Sequence, residues 1–511
     1  MSATVSATDW QRASDMAAAY TARWDRPGQP GGAIVLFDSQ QIRSIAAGGL
    51  GDLARQEPFS ADSVVRFASV TKHMFAAMVT GPAAGFIGLD DPLSQHLPIL
   101  KGVPGQVTVG QALDMTAGLP DARETLSLLG ISVYTATSAA ANLDFIASLE
   151  RLNYPAGSEI SYSNTGYRLV EEALKAKGIR FSDLLSQHIC QPLGLSLTAP
   201  ETWFDIVPGL VPGYWHDGQR WITASAGLHL SASGSIAGSA RHLTRWLQSL
   251  LADNGPGAGV LDRLCAPRSM ADGRISGYGL GIAQSLPGNR ALVGHGGSHA
   301  GYKTYFMLDR ERKAGVVLVA NREDASSFPP ALAVMCALRG EPVPEAGHEL
   351  RPGLYVSEQG NDWLEITANG ADWLDSGETA LYTDPASGDA ISLSAHLPMR
   401  LHQAGDKIDG EIGHAHRRFV PAAGCNDIAD IVGDWLQPEY RSLLTIKKDM
   451  LIMGCGPAQI TAPLSSLGGH RWLATAQDGL WKKRFSLALA DGQLQLSVNR
   501  SRVVAYRRML A

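Results

Sequence analysis

The sequence predicts an α+β protein: an antiparallel sheet flanked by helices, followed by two small antiparallel β-barrels. Three observations carry this. The first two thirds, to about residue 340, mix helical and strand periodicities. The last third has short strands and turn dipeptides with hardly any helical period, and a set of residues within it recurs at identical spacing. With 511 residues and 45% hydrophobic composition, the chain can fill two or three cores rather than one.

From the N-terminus, Met1 to Trp10 and onward mixes Thr, Ser, Asp and Arg without the apolar run of a secretory leader or membrane span. The expectation is a soluble, cytoplasmic protein with no membrane partner. Ser63 to Phe67 reads as β-like, and Met74 to Val79 as a buried helix. Thr108 with Gln111 forms a capping box that opens another helix. Leu243, Trp246, Leu247, Leu250 and Leu251 fall at i, i+3, i+4, i+7 and i+8, the stripe of an amphipathic helix. Ala291 to Gly297, Tyr302 to Leu308 and Gly315 to Ala320 read as successive strands, and their short links make an antiparallel sheet the simplest arrangement.

Between Arg339 and Pro352 the run Gly-Glu-Pro-Val-Pro-Glu-Ala-Gly cannot continue a regular element. Domains are therefore expected at 1–340, 345–425 and 428–511. In the back part Gly353, Tyr355, Leu364 and Ile366 reappear as Gly433, Trp435, Leu444 and Ile446, and each copy ends in a basic strand, His414 to Phe419 and Asn499 to Met509. Two tandem all-β units, each closing its edges as a small barrel, account for this.

Composition narrows the function. Net charge is −6, charged residues make up 18%, and no Lys/Arg block stands out, which argues against nucleic acid or an anionic membrane as partner. The five cysteines are odd in number, widely spaced and free of C-x-x-C pairs, so they are expected to be ordinary buried thiols. His295 and His299 lie on a Gly-rich strand that does not bring their imidazoles together, and His414 and His416 lack a third ligand nearby. Neither metal nor cofactor is expected.

The chemistry lies in three short stretches. Ser69-Val70-Thr71-Lys72 precedes the buried helix, so Lys72 would sit one turn from Ser69 on the same face. A serine hydroxyl needs a base beside it, and a lysine serves if burial and a neighbouring cation hold its pKa down. Tyr162-Ser163-Asn164 supplies a phenol to shuttle a proton, its phenolate favoured by the adjacent ammonium, and an amide to donate to a substrate carbonyl. Taken alone, such a triplet is more often a packed tyrosine and a turn asparagine. His295-Gly296-Gly297 lies on a predicted strand, where the missing side chains let a substrate backbone approach. A second H-x-G, His216-Asp217-Gly218, reads instead as a hairpin turn.

In this order, S-x-x-K, Y-x-N and H-x-G resemble the penicillin-recognising serine hydrolases: class C β-lactamases, DD-peptidases, related esterases and D-aminopeptidases. The resemblance extends to Gln111-Ala112-Leu113, Thr116-Ala117-Gly118-Leu119-Pro120 and Tyr278-Gly279-Leu280-Gly281, and covers roughly the first 330 residues. A catalytic domain followed by two tandem barrels is similar to the D-stereospecific aminopeptidases, as is the closing stretch Leu494 to Arg508.

The resemblance implies an acyl-enzyme on Ser69, protons managed by Lys72 and Tyr162, and support from His295 and Asn164. It also implies an oxyanion site at the backbone N–H groups of Ser69 and Ser298, with Gly296 and Gly297 beside the substrate. In the aminopeptidases a loop of the last barrel helps select a free amine. The corresponding Ala474 to Trp481 is short here, with Asp478 as the candidate ammonium partner, although an aspartate before Gly479 is commonly a turn residue. The expected substrate is a small peptide or amide bearing an N-terminal D-residue. β-Lactams are candidate inhibitors and a homodimer the candidate assembly. The alternatives are a β-lactamase-like esterase or DD-peptidase, and a non-catalytic penicillin-binding sensor.

Overall fold

Every residue from Gly315 to Ala320 is apolar or glycine because the sheet they enter is covered on both sides. In the computed structural model, which describes residues 8–509 apart from 228, 287–290 and 425–427, this strand sits inside a six-stranded antiparallel sheet. The order is Ile42–Gly48, Gly32–Asp38, Ala314–Ala320, Tyr302–Asp309, Leu292–His299 and Ala283–Ser285. Side chains alternate between two cores. Val35, Phe37, Val317 and Val319 pack towards the helices Thr71–Thr80 and Ala240–Ala252. Ile34, Leu36, Val316 and Leu318 pack towards the helices Trp10–Thr21 and Phe328–Arg339.

The local signals are realised in detail. Leu243, Trp246, Leu247, Leu250 and Leu251 are all buried on Ala240–Ala252. Thr108 Oγ1 accepts from Gln111 N at 3.2 Å while Gln111 Oε1 accepts from Thr108 N at 3.1 Å. Tyr214–His216 pairs with Trp221–Thr223 around the His216-Asp217-Gly218 turn. The two N-terminal strands, absent from the sequence reading, complete the sheet beside Ala314–Ala320.

The last third is all β. Nine strands between residues 353 and 421 form one antiparallel sheet whose end strands, Thr379–Ala380 and Tyr382–Thr383, are separated only by the buried Leu381, so the sheet curls back on itself. Eight strands from Gly433–Gln437 to Ser501–Arg508 form a closed barrel. The repeat seen in the sequence is a repeat of register. Gly353 pairs with Ile366 and Tyr355 with Leu364 in the first unit; Gly433 pairs with Ile446 and Trp435 with Leu444 in the second.

Glu159 joins both units to the front part, accepting from Arg417 Nη2 at 2.7 Å and from Arg502 Nη1 at 2.8 Å. Leu128 and Leu129 bury themselves in the core of the second barrel. The cysteine expectation needs correction: Cys190 and Cys336 are buried, but Cys265 is half-buried and Cys455 exposed, because Cys455 sits in the loop after Met450–Met453. Cys425 lies outside the described residues. No helix among the described residues is long and apolar enough to cross a membrane.

Candidate active site

Val64–Arg66 pairs with Ala237–Ser239 and leads into a single 3-10 turn, Ala68–Val70, that continues as the helix Thr71–Thr80. Ala68 takes φ 50°, the left-handed region that residues other than glycine rarely adopt, which turns Ser69 outward at the head of the helix. The strand Leu292–His299 presses onto this turn. A Cβ on Gly297 would stand 2.1 Å from Phe67 O and 3.1 Å from Ser69 N, so only glycine fits there. Gly281, at φ +70°, fits equally closely against Lys72 and His73.

Lys72 Nζ lies 3.1 Å from Ser69 Oγ, 2.8 Å from Asn164 Oδ1 and 2.6 Å from the carbonyl oxygen of Ser233. The lysine is fully buried, and burial, with the Arg500 guanidinium adding to it, pushes its pKa well below the usual 10.5 against the opposing charge of Asp121. All three neighbours are oxygens that accept from this nitrogen, and once it is deprotonated two N–H groups still reach the two carbonyl oxygens while the lone pair turns to the serine hydroxyl.

Lys72 Nζ also stands 4.7 Å from the centroid of the Tyr162 ring. The Tyr162 hydroxyl is buried beside Ser69, yet no group among the described residues gives it a well-formed hydrogen bond. Burial raises its pKa above the usual 10.0, outweighing the Ser69 hydroxyl and the Arg500 charge. This reverses the expectation of a favoured phenolate: loss of solvent outweighs the neighbouring cations, and the resting group is a phenol.

Asn164 opens the helix Asn164–Lys175. Its Oδ1 is held by Lys72, and its Nδ2 and backbone N both donate to Asp121 Oδ2, at 3.0 and 2.8 Å. Its Oδ1 is thus committed to orienting Lys72 and one Nδ2 N–H to Asp121, which leaves the second N–H on the cleft side for the substrate carbonyl the sequence suggested. Asp121 passes unnoticed in the sequence because it reads as the N-cap of Ala122–Leu128, which it also is.

His295 Nδ1–H donates to Gly296 O at 2.6 Å, so Nε2 accepts from the Tyr278 hydroxyl at 2.8 Å. Burial, with His396 and Lys72 adding to it, holds its pKa well below 6.5. The neutral ring lies 6.1 Å from that of Tyr162, a packing contact rather than a hydrogen bond. Gly296, Gly297 and Ser298 line the same cleft, about 710 Å³ in volume, and Ser298 Oγ accepts from Lys303 Nζ at 2.6 Å. His299 Nε2 lies 2.8 Å from Gly234 O, away from His295. Among the described residues no group of three or more His, Cys, Asp or Glu is placed to hold a metal.

Both barrels reach the cleft; from the stretch the sequence suggested only Trp481 lines it, and two turn residues outside that stretch stand against Tyr162. His396, in the turn before Met399–Ala404, stacks on Tyr162 with centroids 4.5 Å apart, and burial, aided by Arg500 and Lys72, lowers its pKa to about 3. Arg500, in the last hairpin turn, sets its guanidinium carbon 4.7 Å from the Tyr162 centroid. Asp478 faces elsewhere. Ala474 to Trp481 is a tight hairpin in which Asp478 pairs with Trp481, and the buried carboxylate accepts from Ser132 Oγ at 2.6 Å and Val133 N at 2.8 Å. It holds a loop and is not free for an ammonium. Asp478→Ala should therefore strand two donors at a cost of about 1–3 kcal/mol, lowering Tm while leaving kcat near that of the parent. Calorimetric melts with parallel kinetics check this, and an unchanged Tm would count against it.

Comparison with known proteins places this geometry among others. A D-aminopeptidase of Cereibacter sphaeroides is 24% identical over 495 residues, covering 92% of either chain. The octameric penicillin-binding protein homologue from Pyrococcus abyssi superposes with a TM-score of 0.54 at 17% identity, over 94% of this chain and 96% of the other. The D-amino acid amidase from Ochrobactrum anthropi SV3, solved with L-phenylalanine amide, gives 0.52 at 21% identity over 64% of this chain and 98% of the other. At these identities the two structures speak to the fold alone. The model of the Beta-lactamase family matches residues 16–335, more than half of the 511, and the chain belongs to that family.

Proposed function

We propose that this protein hydrolyses amide bonds through an acyl-enzyme on Ser69, releasing N-terminal D-amino acids from peptides or amides. The observation that carries the reading is the 3.1 Å contact between Ser69 Oγ and the buried Lys72 amine. Lys72 takes the Ser69 proton as the hydroxyl attacks the substrate carbonyl. The oxyanion rests on the backbone N–H groups of Ser69 and Ser298. Tyr162, a phenol at rest, gives its proton to the leaving amine and recovers one from the Lys72 ammonium. Water then attacks the acyl-enzyme, again with Lys72 as base, and frees the amino acid. The D preference rests on the named relatives. β-Lactams would acylate the same serine.

Comparing D-alaninamide with L-alaninamide, with intact-mass detection of an acyl adduct, tests the reading. Turnover of the D-amide with transient mass gain on Ser69 is expected; turnover of neither enantiomer, without an adduct, would overturn it.

The pH profile follows from Lys72. The active form is the neutral amine, so activity is present above its folded pKa and is lost as pH falls through it. That pKa lies well below 10.5, so kcat/KM should rise with pH and level off well short of that value. Tyr162 deprotonates only above its usual 10.0, so no alkaline loss should precede that point. Steady-state rates across the pH range decide, and a limb rising at an ordinary lysine pKa would contradict the neutral amine.

A further inference from the structure

Asn499 and Arg500 form the two-residue turn between the last two strands, Gln493–Val498 and Ser501–Arg508, with Val498 paired to Ser501. The turn is clamped to the front part of the molecule. Arg500 O accepts from Asp121 N at 2.8 Å and Asn153 Nδ2 at 3.0 Å, Asn499 Oδ1 accepts from Ser161 Oγ at 3.2 Å, and Ser501 Oγ meets Thr125 Oγ1 at 2.8 Å. The guanidinium is thereby fixed in the cleft wall against Tyr162.

Of the other cations of the cleft, Lys303 is held by Glu323 and Ser298, Arg168 by His229 and Lys483 by Ser127, while Arg123 stacks on Trp481 and Lys482 stands beside it, neither in contact with the Tyr162 ring. Among the described residues no carboxylate or carbonyl accepts from the Arg500 guanidinium. A planar fork of donors, held rigid and unpaired beside a buried amine, suits a planar anion and repels an ammonium.

We propose that Arg500 binds a free carboxylate on the leaving half of the substrate, so that the preferred substrate is a short peptide acid rather than an amide with a neutral leaving group. This rests on the acyl-enzyme reading above. Tyr162 protonates the leaving nitrogen, so a group stacked on its ring faces the leaving half. In an amino-acid leaving group the carboxylate is two bonds from that nitrogen, within reach of the same fork, whereas a simple amide presents nothing to it. Arg500 then sets specificity, and the last barrel contributes the residue that does so.

The test compares kcat/KM for D-alanylglycine and D-alanylglycinamide, which share their ammonium and scissile bond, in the parent, Arg500→Gln and Arg500→Lys. The parent should favour the acid by about tenfold or more, the size of a charge-assisted hydrogen-bonded pair. Arg500→Gln should bring the ratio close to one, and Arg500→Lys should keep part of it. The ratio cancels any common loss through Lys72 or through the packing of the turn. A parent ratio near one, or a ratio unchanged in Arg500→Gln, would overturn the proposal. If D-alaninamide is cleaved and neither dipeptide is, the peptide-acid proposal is overturned; if D-alaninamide is not cleaved either, the acyl-enzyme reading fails instead, and calorimetric binding of the two dipeptides to Ser69→Ala, with and without Arg500→Gln, decides the carboxylate proposal by the same ratio.

Discussion

Replacing Ser69 with alanine is expected to lower kcat/KM on D-alanine p-nitroanilide by about 10⁴-fold or more, as loss of the nucleophile does in serine hydrolases with intact surroundings. The surroundings should stay intact. Ser69 is half-buried, its neighbours Ala68 and Val70 carry the packing, and the backbone of the turn is set by the strand pressing at Gly297 rather than by the serine hydroxyl. Lys72 keeps its contacts with Asn164 Oδ1 and Ser233 O, so the cleft loses one oxygen and little else. Kinetics on the purified variant, with a circular-dichroism melt to confirm the fold, measure this. Residual turnover within about tenfold of the parent would remove Ser69 from the proposed chemistry, because that much activity cannot come from the oxyanion site and substrate binding alone.

The parts of this architecture that were legible are those whose signals are local. Ser69 and Lys72 sit one helical turn apart, Tyr162 and Asn164 stand at a helix start, and the tandem spacing of Gly353 and Gly433 with their partners is the register of two hairpins. Each is a short-range constraint that a chain must write into adjacent residues. The Ser233 carbonyl on Lys72 carries no side-chain signature at all, since any residue presents the same acceptor. Asp121 hides behind its capping role. His396 and Arg500 are turn residues of two different barrels, brought to Tyr162 by docking between units hundreds of positions apart, and turn composition says nothing of what a turn will touch. The same blindness misplaced Asp478: an aspartate before a glycine fits both a ligand and a loop anchor, and only the neighbours Ser132 and Val133 distinguish them.

Tyr162→Phe should separate catalysis from stability in a way no other single change here does. The hydroxyl is buried without a well-formed partner, and a buried unpaired donor costs about 1–3 kcal/mol, so removing it should leave Tm unchanged or raise it. The ring remains, and with it the contacts to Lys72, His396 and Arg500. Activity on amides should fall by about 10²–10⁴-fold, the usual contribution of a placed proton donor. The leaving group then discriminates the role. An aniline or amino acid must be protonated as it departs, whereas p-nitrophenolate leaves as an anion. The loss on a D-alanyl p-nitrophenyl ester should therefore be much smaller than on the anilide. Equal losses on ester and anilide would mean that the phenol acts before bond cleavage, in aligning Ser69, and the proton route drawn through Tyr162 to the leaving nitrogen would have to be abandoned.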